Sequence, residues 1–301
     1  MILPNFIIAG GVASGTSFLS TTLLHHPDIY LPKIQRPEPN FFHYSWKYGQ
    51  GKEWWLKTWF SDVKTQIAVG ERSSLLLSSD VAAKRILQTV PDVKLIFCLR
   101  NPIERAWGNY RFTVLEGLEP LSFEEAIRCE SLRSKAAQGI WAEVQPHAYV
   151  TRSIYSTRLQ EYIDLFGRDK ILFLKSEDLS RHPEVNVARV CDFLGVDSSI
   201  KLPFPPNYTS PSVKNRAIQI ELREYFGDRF SDLVENIRKD EHSLSLALTE
   251  QDQENVAKLR SNLSLGKDLL PEDTRQHLRG LFAEEIGHTK NIVEFSVEDW
   301  I

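Results

Sequence analysis

Cysteine is scarce in this chain: Cys98, Cys129 and Cys191 are three among 301 residues, an odd number at spacings unlike a zinc site. Cys98 lies in an apolar, strand-like run and reads as a small buried hydrophobe. No metal is therefore expected. No apolar run approaches the ~20 residues of a membrane span, and Met1-Ile2-Leu3-Pro4-Asn5 has none of the basic character that opens a secretory signal. A cytoplasmic protein without a membrane partner is the expectation. A basic excess is missing too: the formal net charge of −4 argues against nucleic acid or anionic lipid as partner. No internal repeat or low-complexity tract interrupts the chain. With 42% hydrophobic and 11% aromatic residues it can bury a large core, and its length suits one sizeable α/β domain or two small ones.

The organising stretch lies near the start. Phe6-Ile7-Ile8-Ala9 is a strand-type run that breaks at Gly10-Gly11. After Ser14-Gly15-Thr16-Ser17 an apolar pattern of helical period begins at Phe18, Leu19, Leu23 and Leu24. Strand, glycine loop and helix in that order offer backbone N–H groups and a helix dipole to an anion, a phosphate above all. An ordinary βα turn capped by Ser or Thr is the plainer alternative. Two fingerprints are missing from the loop. Gly10 and Gly15 have the spacing of G-x-x-x-x-G-K-[ST], but Thr16 stands where lysine would span the β- and γ-phosphates. There is also no G-x-G-x-x-G dinucleotide fingerprint.

Beyond the first helix, Ile29-Tyr30-Leu31 is a short extended run. The loop Pro32 to Tyr44 then carries three prolines and one acid, Glu38, set between Pro37 and Pro39. That restriction makes Glu38 a candidate general base, with a solvated loop glutamate as the alternative. Trp46 to Phe60 is rich in aromatics that suit a core better than a ligand platform, though one or two rings could line an acceptor pocket. Val69 to Leu77 reads as a strand or turn, and Asp80 to Thr89 as a helix. Val93 to Leu99 is the best central strand, and it delivers Arg100 to its C-terminal edge, where parallel sheets bind ligands. There a planar guanidinium can grip a phosphate, or close a helix through an ion pair. Ser153 to Phe166 is an amphipathic helix, Ile171 to Leu174 a buried strand, and a helix ends at Gly195. Past the linker-like stretch 203–216 the chain turns mostly helical, ending in one long helix within 265–292.

Together these pieces resemble the sulfotransferases that use 3′-phosphoadenosine 5′-phosphosulfate, in their bacterial and Golgi-like branch, over nearly the whole length. Gly10 to Leu19 is similar to the family's 5′-phosphosulfate loop, Pro37-Glu38-Pro39-Asn40-Phe41-Phe42 to its K-E-P-x-F-F segment, and Leu99 to Tyr110 to its 3′-phosphate motif R-N-P-x-x-R-A-x-S-x-Y. Glu177-Asp178-Leu179, Phe193-Leu194-Gly195 and Val297-Glu298-Asp299-Trp300 resemble further landmarks. The resemblance implies one α/β domain over 1–301, with a central parallel sheet flanked by helices, a P-loop-like loop after the first strand, and a mostly helical portion from about 207. It implies sulfonate transfer to a hydroxyl or nitrogen of a small-molecule or sugar acceptor, with adenosine 3′,5′-bisphosphate as product. Ser14, Gly15, Thr16, Ser17, Arg100 and Gly108 would bind the donor. Glu38 would be the base, with His43 in reserve, its ordinary pKa being well suited. Arg105 reads as structural, and Lys214 or Arg216 as a substitute phosphate donor.

Two departures matter. Ala13 stands where the family has the loop lysine that stabilises charge on the leaving oxygen, and Gly108 stands where it has the 3′-phosphate serine. Lys33, Arg36 and Arg72 are the nearby cations that could replace the lysine. The alternatives are a catalytically silent homologue that keeps the nucleotide pocket, or a P-loop small-molecule kinase. Aromatics at Trp107, Tyr110 and Trp141 suit a sugar, phenol or metabolite acceptor, and no feature of the sequence speaks to oligomeric state.

Overall fold

The apolar runs become strands of one parallel sheet. The computed structural model describes residues 2–33, 37–205, 211–238, 249–264, 266 and 268–300. The elements begin with β1 (Phe6–Gly10), α1 (Thr16–Leu23), β2 (Ile29–Tyr30), α2 (Ser45–Tyr48), α3 (Gly51–Trp59), β3 (Ala68–Arg72), α4 (Ala82–Thr89), β4 (Lys94–Leu99) and α5 (Pro102–Leu115). They continue with α6 (Phe123–Ala136), α7 (Ile140–Val144), α8 (Ser156–Phe166), β5 (Ile171–Lys175), α9 (Ser176–Arg181) and α10 (Pro183–Leu194). Last come β6 (Ser212–Val213), α11 (Arg216–Phe226), α12 (Phe230–Arg238), α13 (Glu250–Asn262), β7 (Leu263–Ser264) and α14 (Glu272–Lys290).

Strand order is β2-β3-β1-β4-β5, all parallel, which is the α/β architecture expected. β1 sits in the middle with all five residues buried, so it has no polar face and no alternation. Its register pairs Ile8 with Arg72 on one side and Ile96 on the other. Parallel pairing therefore brings the C-terminal ends of β1, β3 and β4 to one edge, where the chain direction across the sheet reverses. Leu19 and Leu23 of α1, one helical turn apart, join Phe6, Ile8, Val187 and Val190 in the core beneath that edge. Each fully buried side chain of this kind contributes roughly 1.5–3 kcal/mol.

Contacts divide the 1–301 span into two compact units: 1–105 with 151–205 and 279–301, and 106–150 with 206–278. The sheet lies wholly in the first. The second has its own core of Leu115, Leu222, Phe226, Phe230, Leu233 and Leu259, and its only described strands are the antiparallel pair β6–β7. No described helix is long and apolar enough to cross a membrane. Among the described residues no group of three or more His, Cys, Asp or Glu could hold a metal ion.

Candidate active site

The loop between β1 and α1 is shaped by close packing behind it. At Gly10 the backbone has φ 148°, and a Cβ would come within 2.6 Å of the Leu77 Cβ, so no side chain fits there. Gly15 is the N-cap of α1 with φ 88°, and no side chain caps the helix. The first-turn N–H groups of α1 are thereby left for a ligand. Ala13 also has positive φ, 60°, a conformation that costs a non-glycine residue roughly 1–2 kcal/mol. Ser14 and Thr16 are buried, while Ser17 is exposed at the mouth of the loop.

Arg72, the last residue of β3, joins this loop to Glu38. Its Nη1 donates to Ser17 Oγ at 2.7 Å and pairs with Glu38 Oε1 at 2.7 Å. The two side chains are 5% and 14% exposed, so the pair is largely removed from water. Glu38 Oε2 accepts from the Ser74 N–H (2.7 Å), Ser74 Oγ (2.8 Å) and Asn40 Nδ2 (3.3 Å). The solvated-loop alternative is thus excluded: the acid is clamped. Lys47 holds the same turn from below, donating from Nζ to the carbonyls of Glu38 (3.1 Å) and Pro39 (2.6 Å), and burial lowers its pKa.

Beside Arg72, Glu71 is completely buried. Its Oε2 accepts from Trp55 Nε1 and its Oε1 from Ser73 Oγ, both at 2.7 Å, and Ser73 Oγ in turn accepts from the Asn40 N–H at 2.9 Å. Burial pushes the Glu71 carboxyl up to about 7, with the Glu38 charge adding to the rise. The Ser73 and Trp55 hydrogen bonds and the Lys47 charge oppose it. The ordinary value is 4.5. The fold therefore favours the protonated form, and this contribution is full below pH 4.5 and erodes as pH climbs to about 7. Relative to Glu71→Gln, wild type is expected to lose stability, on the order of a few kcal/mol at roughly 1.4 per pH unit, between pH 5 and 8. Urea midpoints of both proteins across that range check it. A constant difference would show that Glu71 does not titrate there.

Arg100 follows β4. Its Nη1 donates to the Ala13 carbonyl at 3.1 Å, its Nη2 lies 3.8 Å from Glu104 Oε2, and the side chain is 33% exposed. The expected helix-closing ion pair is present, beside a direct tie to the loop. The turn is pinned from several sides. The Asn101 N–H donates to Glu177 Oε1, Asn101 Nδ2 to the Trp300 carbonyl, and Tyr155 Oη to the Arg100 carbonyl. Lys175 pairs with Asp299 at 2.5 Å. The landmark stretches at 177–179 and 297–300 thus hold the Arg100 turn. Arg105 is fully buried and donates from Nε to Ser153 Oγ, a structural role as expected.

The other candidate residues have surroundings of their own. Half-buried His43 stacks edge-on against Tyr44, and its carbonyl accepts from Arg85. Gly108 lies half-buried in the part of α5 that belongs to the second unit. Arg216 donates to Tyr110 Oη and the Leu121 carbonyl, and Lys214 to the Ser261 carbonyl. Lys33 is exposed, and Arg36 lies outside the described residues. Of the aromatic stretch, Trp55 and Phe60 are core, Trp55 packing against Phe41, Phe42 and Phe60, while Trp46 is exposed. Burial also pushes Cys98 up to about 12, so this thiol stays inert.

An uncapped helix and two arginines at the carboxyl edge of a parallel sheet are suited to an anion, and the molecule belongs to the α/β class with a central parallel sheet. A narrower answer comes from comparison. Residues 3–218 match the sulfotransferase domain family, and the chain belongs to it. Mouse heparan sulfate glucosamine 3-O-sulfotransferase 3B1 is 30% identical over 197 residues, 64% of this chain and 46% of that protein. The membrane-associated sulfotransferase kil1 of Dictyostelium discoideum is 31% identical over 116 residues, 38% of this chain and 24% of that one. This chain thus spans less than half the length of these relatives. The crystal structure of a sulfotransferase from Alicyclobacillus acidocaldarius shares the fold with a TM-score of 0.70, covering 100% of this chain and 99% of its own at 22% identity.

Proposed function

We propose that the protein transfers a sulfonate group from 3′-phosphoadenosine 5′-phosphosulfate to a hydroxyl or nitrogen of a sugar or small-molecule acceptor. The observation that carries this reading is Arg72, one guanidinium nitrogen of which joins the loop at Ser17 to the acid Glu38. The cation missing at Ala13 is thereby supplied from the neighbouring strand. Relatives named for heparan sulfate support a sugar among the acceptors.

The donor brings an activated sulfonate on a 5′-phosphate. Ser14, Gly15, Thr16 and Ser17 hold that end through backbone N–H groups and hydroxyls, and Arg100 takes the 3′-phosphate, with Gly108 adding no hydroxyl. Each carboxylate oxygen offers about two lone-pair sites. Among the described residues only Arg72 Nη1 sits against Glu38 Oε1, so that oxygen keeps a position for the acceptor's proton. Glu38 takes that proton as the new bond to sulfur forms and the bond to the departing phosphate breaks. Arg72 faces the same charge.

The test is titration with adenosine 3′,5′-bisphosphate, followed by transfer of labelled sulfonate to a panel of glucosamine-containing oligosaccharides and phenols. Binding with transfer is expected. Binding without transfer on any acceptor would favour the silent homologue, and binding of ATP in preference to the bisphosphate would favour a kinase. Arg100→Ala is expected to weaken the bisphosphate at least about tenfold while leaving adenosine 5′-phosphate little changed, since a charged hydrogen bond contributes roughly 1.5–3 kcal/mol. Equal losses for both nucleotides would mean that Arg100 acts through the loop carbonyl of Ala13.

A further inference from the structure

Glu71 is a fully buried acid that the proposed reaction does not use, although it precedes Arg72 in β3. Among the described residues its two oxygens meet neutral donors alone, Trp55 Nε1 of α3 and Ser73 Oγ. Lys47 of α2 turns its Nζ to the carbonyls of Glu38 and Pro39 instead. That nitrogen also lies 5.2 Å, 5.5 Å and 5.8 Å from the ring centres of Tyr44, Trp46 and Trp59. Carbonyl oxygens and ring faces both favour the ammonium form.

A carboxylate held by neutral donors alone is costly to bury, so this site favours the uncharged acid. Lys47 and Arg72 then face one carboxylate, Glu38. Ionising Glu71 brings cations and anions level. The link to Glu38 is short: Ser73 Oγ, bonded to Glu71, accepts from the Asn40 N–H, and Asn40 Nδ2 donates to Glu38. The charged groups that act on Glu71 are Lys47 from α2 and Glu38 from the loop before it. The neighbouring strands bring Ile7 of β1, in register with Glu71, and Tyr30 of β2, whose phenol donates to the Trp59 carbonyl.

We propose that Glu71 is a positioning residue of the donor site: uncharged, it leaves Arg72, Lys47 and Glu38 with an excess positive charge that helps to hold the sulfonate end of the donor, and on ionising it cancels that excess and weakens the grip. The inference rests on the functional reading above. Proton and donor are linked, each raising the affinity for the other. Burial pushes the Glu71 carboxyl up to about 7, so donor affinity is full well below that pH and falls as pH rises through it.

The experiment is calorimetric titration of the full chain with adenosine 5′-phosphosulfate, which keeps the sulfonate end and has no group that titrates near neutrality, from about pH 5.5 to 8.5. Over that range wild type is expected to lose about tenfold more affinity than Glu71→Gln, which stays uncharged throughout. A merely structural Glu71 would change stability and leave the two profiles parallel. At about pH 7 wild type should also take up protons on binding, read from titrations in two buffers of different ionisation heat, and Glu71→Gln should not. If Glu71→Gln does not fold, the same measurement on His43→Ala decides the matter. Uptake that persists there supports Glu71, and uptake that vanishes belongs to the histidine and overturns the proposal. Parallel profiles, or binding without proton uptake, overturn it alone. No binding at any pH overturns it together with the sulfonate-transfer reading.

Discussion

Arg72→Gln is expected to slow sulfonate transfer by ~10²–10³-fold, the cost of removing one preorganised donor from developing charge. The guanidinium lies between the loop hydroxyl of Ser17 and the carboxylate of Glu38 and is only 5% exposed, so water cannot take its place. Removing one partner of a largely buried pair also costs about 3–5 kcal/mol. Thermal midpoints must therefore accompany the rates. Arg72→Lys should recover part of the rate, since it keeps the charge and loses the fork. The diagnostic experiment is Ala13→Lys in the Arg72→Gln background, which returns a cation to the loop itself. Partial rescue of the rate is expected. If Arg72→Gln leaves transfer intact, Arg72 serves only to hold Glu38.

Glu38→Gln should cut turnover by ~10²–10⁴-fold with donor affinity nearly unchanged, because an amide keeps the size and loses the basicity. The clamp on Oε2 by Ser74 and Asn40 argues that the effect falls on chemistry, since the turn is held by several bonds besides this acid. His43→Ala should cost much less, its ring being packed on Tyr44. Rates measured at saturating donor separate the two. A reversed result would make His43 the base and Glu38 its support.

The parts of this site that sequence revealed are local. A strand running into Gly10 and Gly15, and another running into Arg100, announce themselves because periodicity and glycine act over a few residues. Glu38 stood out through its flanking prolines. Gly70-Glu71-Arg72-Ser73-Ser74, by contrast, reads as a strand end, with Arg72 only one of three cations that could stand in for the loop lysine. What brings it to the loop is the pairing of Arg72 with Ile8, set by a parallel register between segments far apart in the chain. Nothing local shows that Glu71 is fully buried against Trp55, or that Lys47 grips the backbone of the Glu38 turn. An adjacent acid and base closing an apolar strand was the available signal. The aromatic stretch was legible as core because large rings at Trp55 and Phe60 have few other stable places.

The bond from Asn101 to the Trp300 carbonyl has a consequence for the order in which the site is assembled. The loop and the Arg72–Glu38 pair come from residues 6–99, and the core beneath them is completed only by Leu174, Val187 and Val190. The Arg100 turn waits for partners some two hundred positions later, and such distant closures come late in folding. On the proposed assignment, the loop meant for a 5′-phosphate would thus leave the ribosome well before the partners that fix the Arg100 turn meant for a 3′-phosphate.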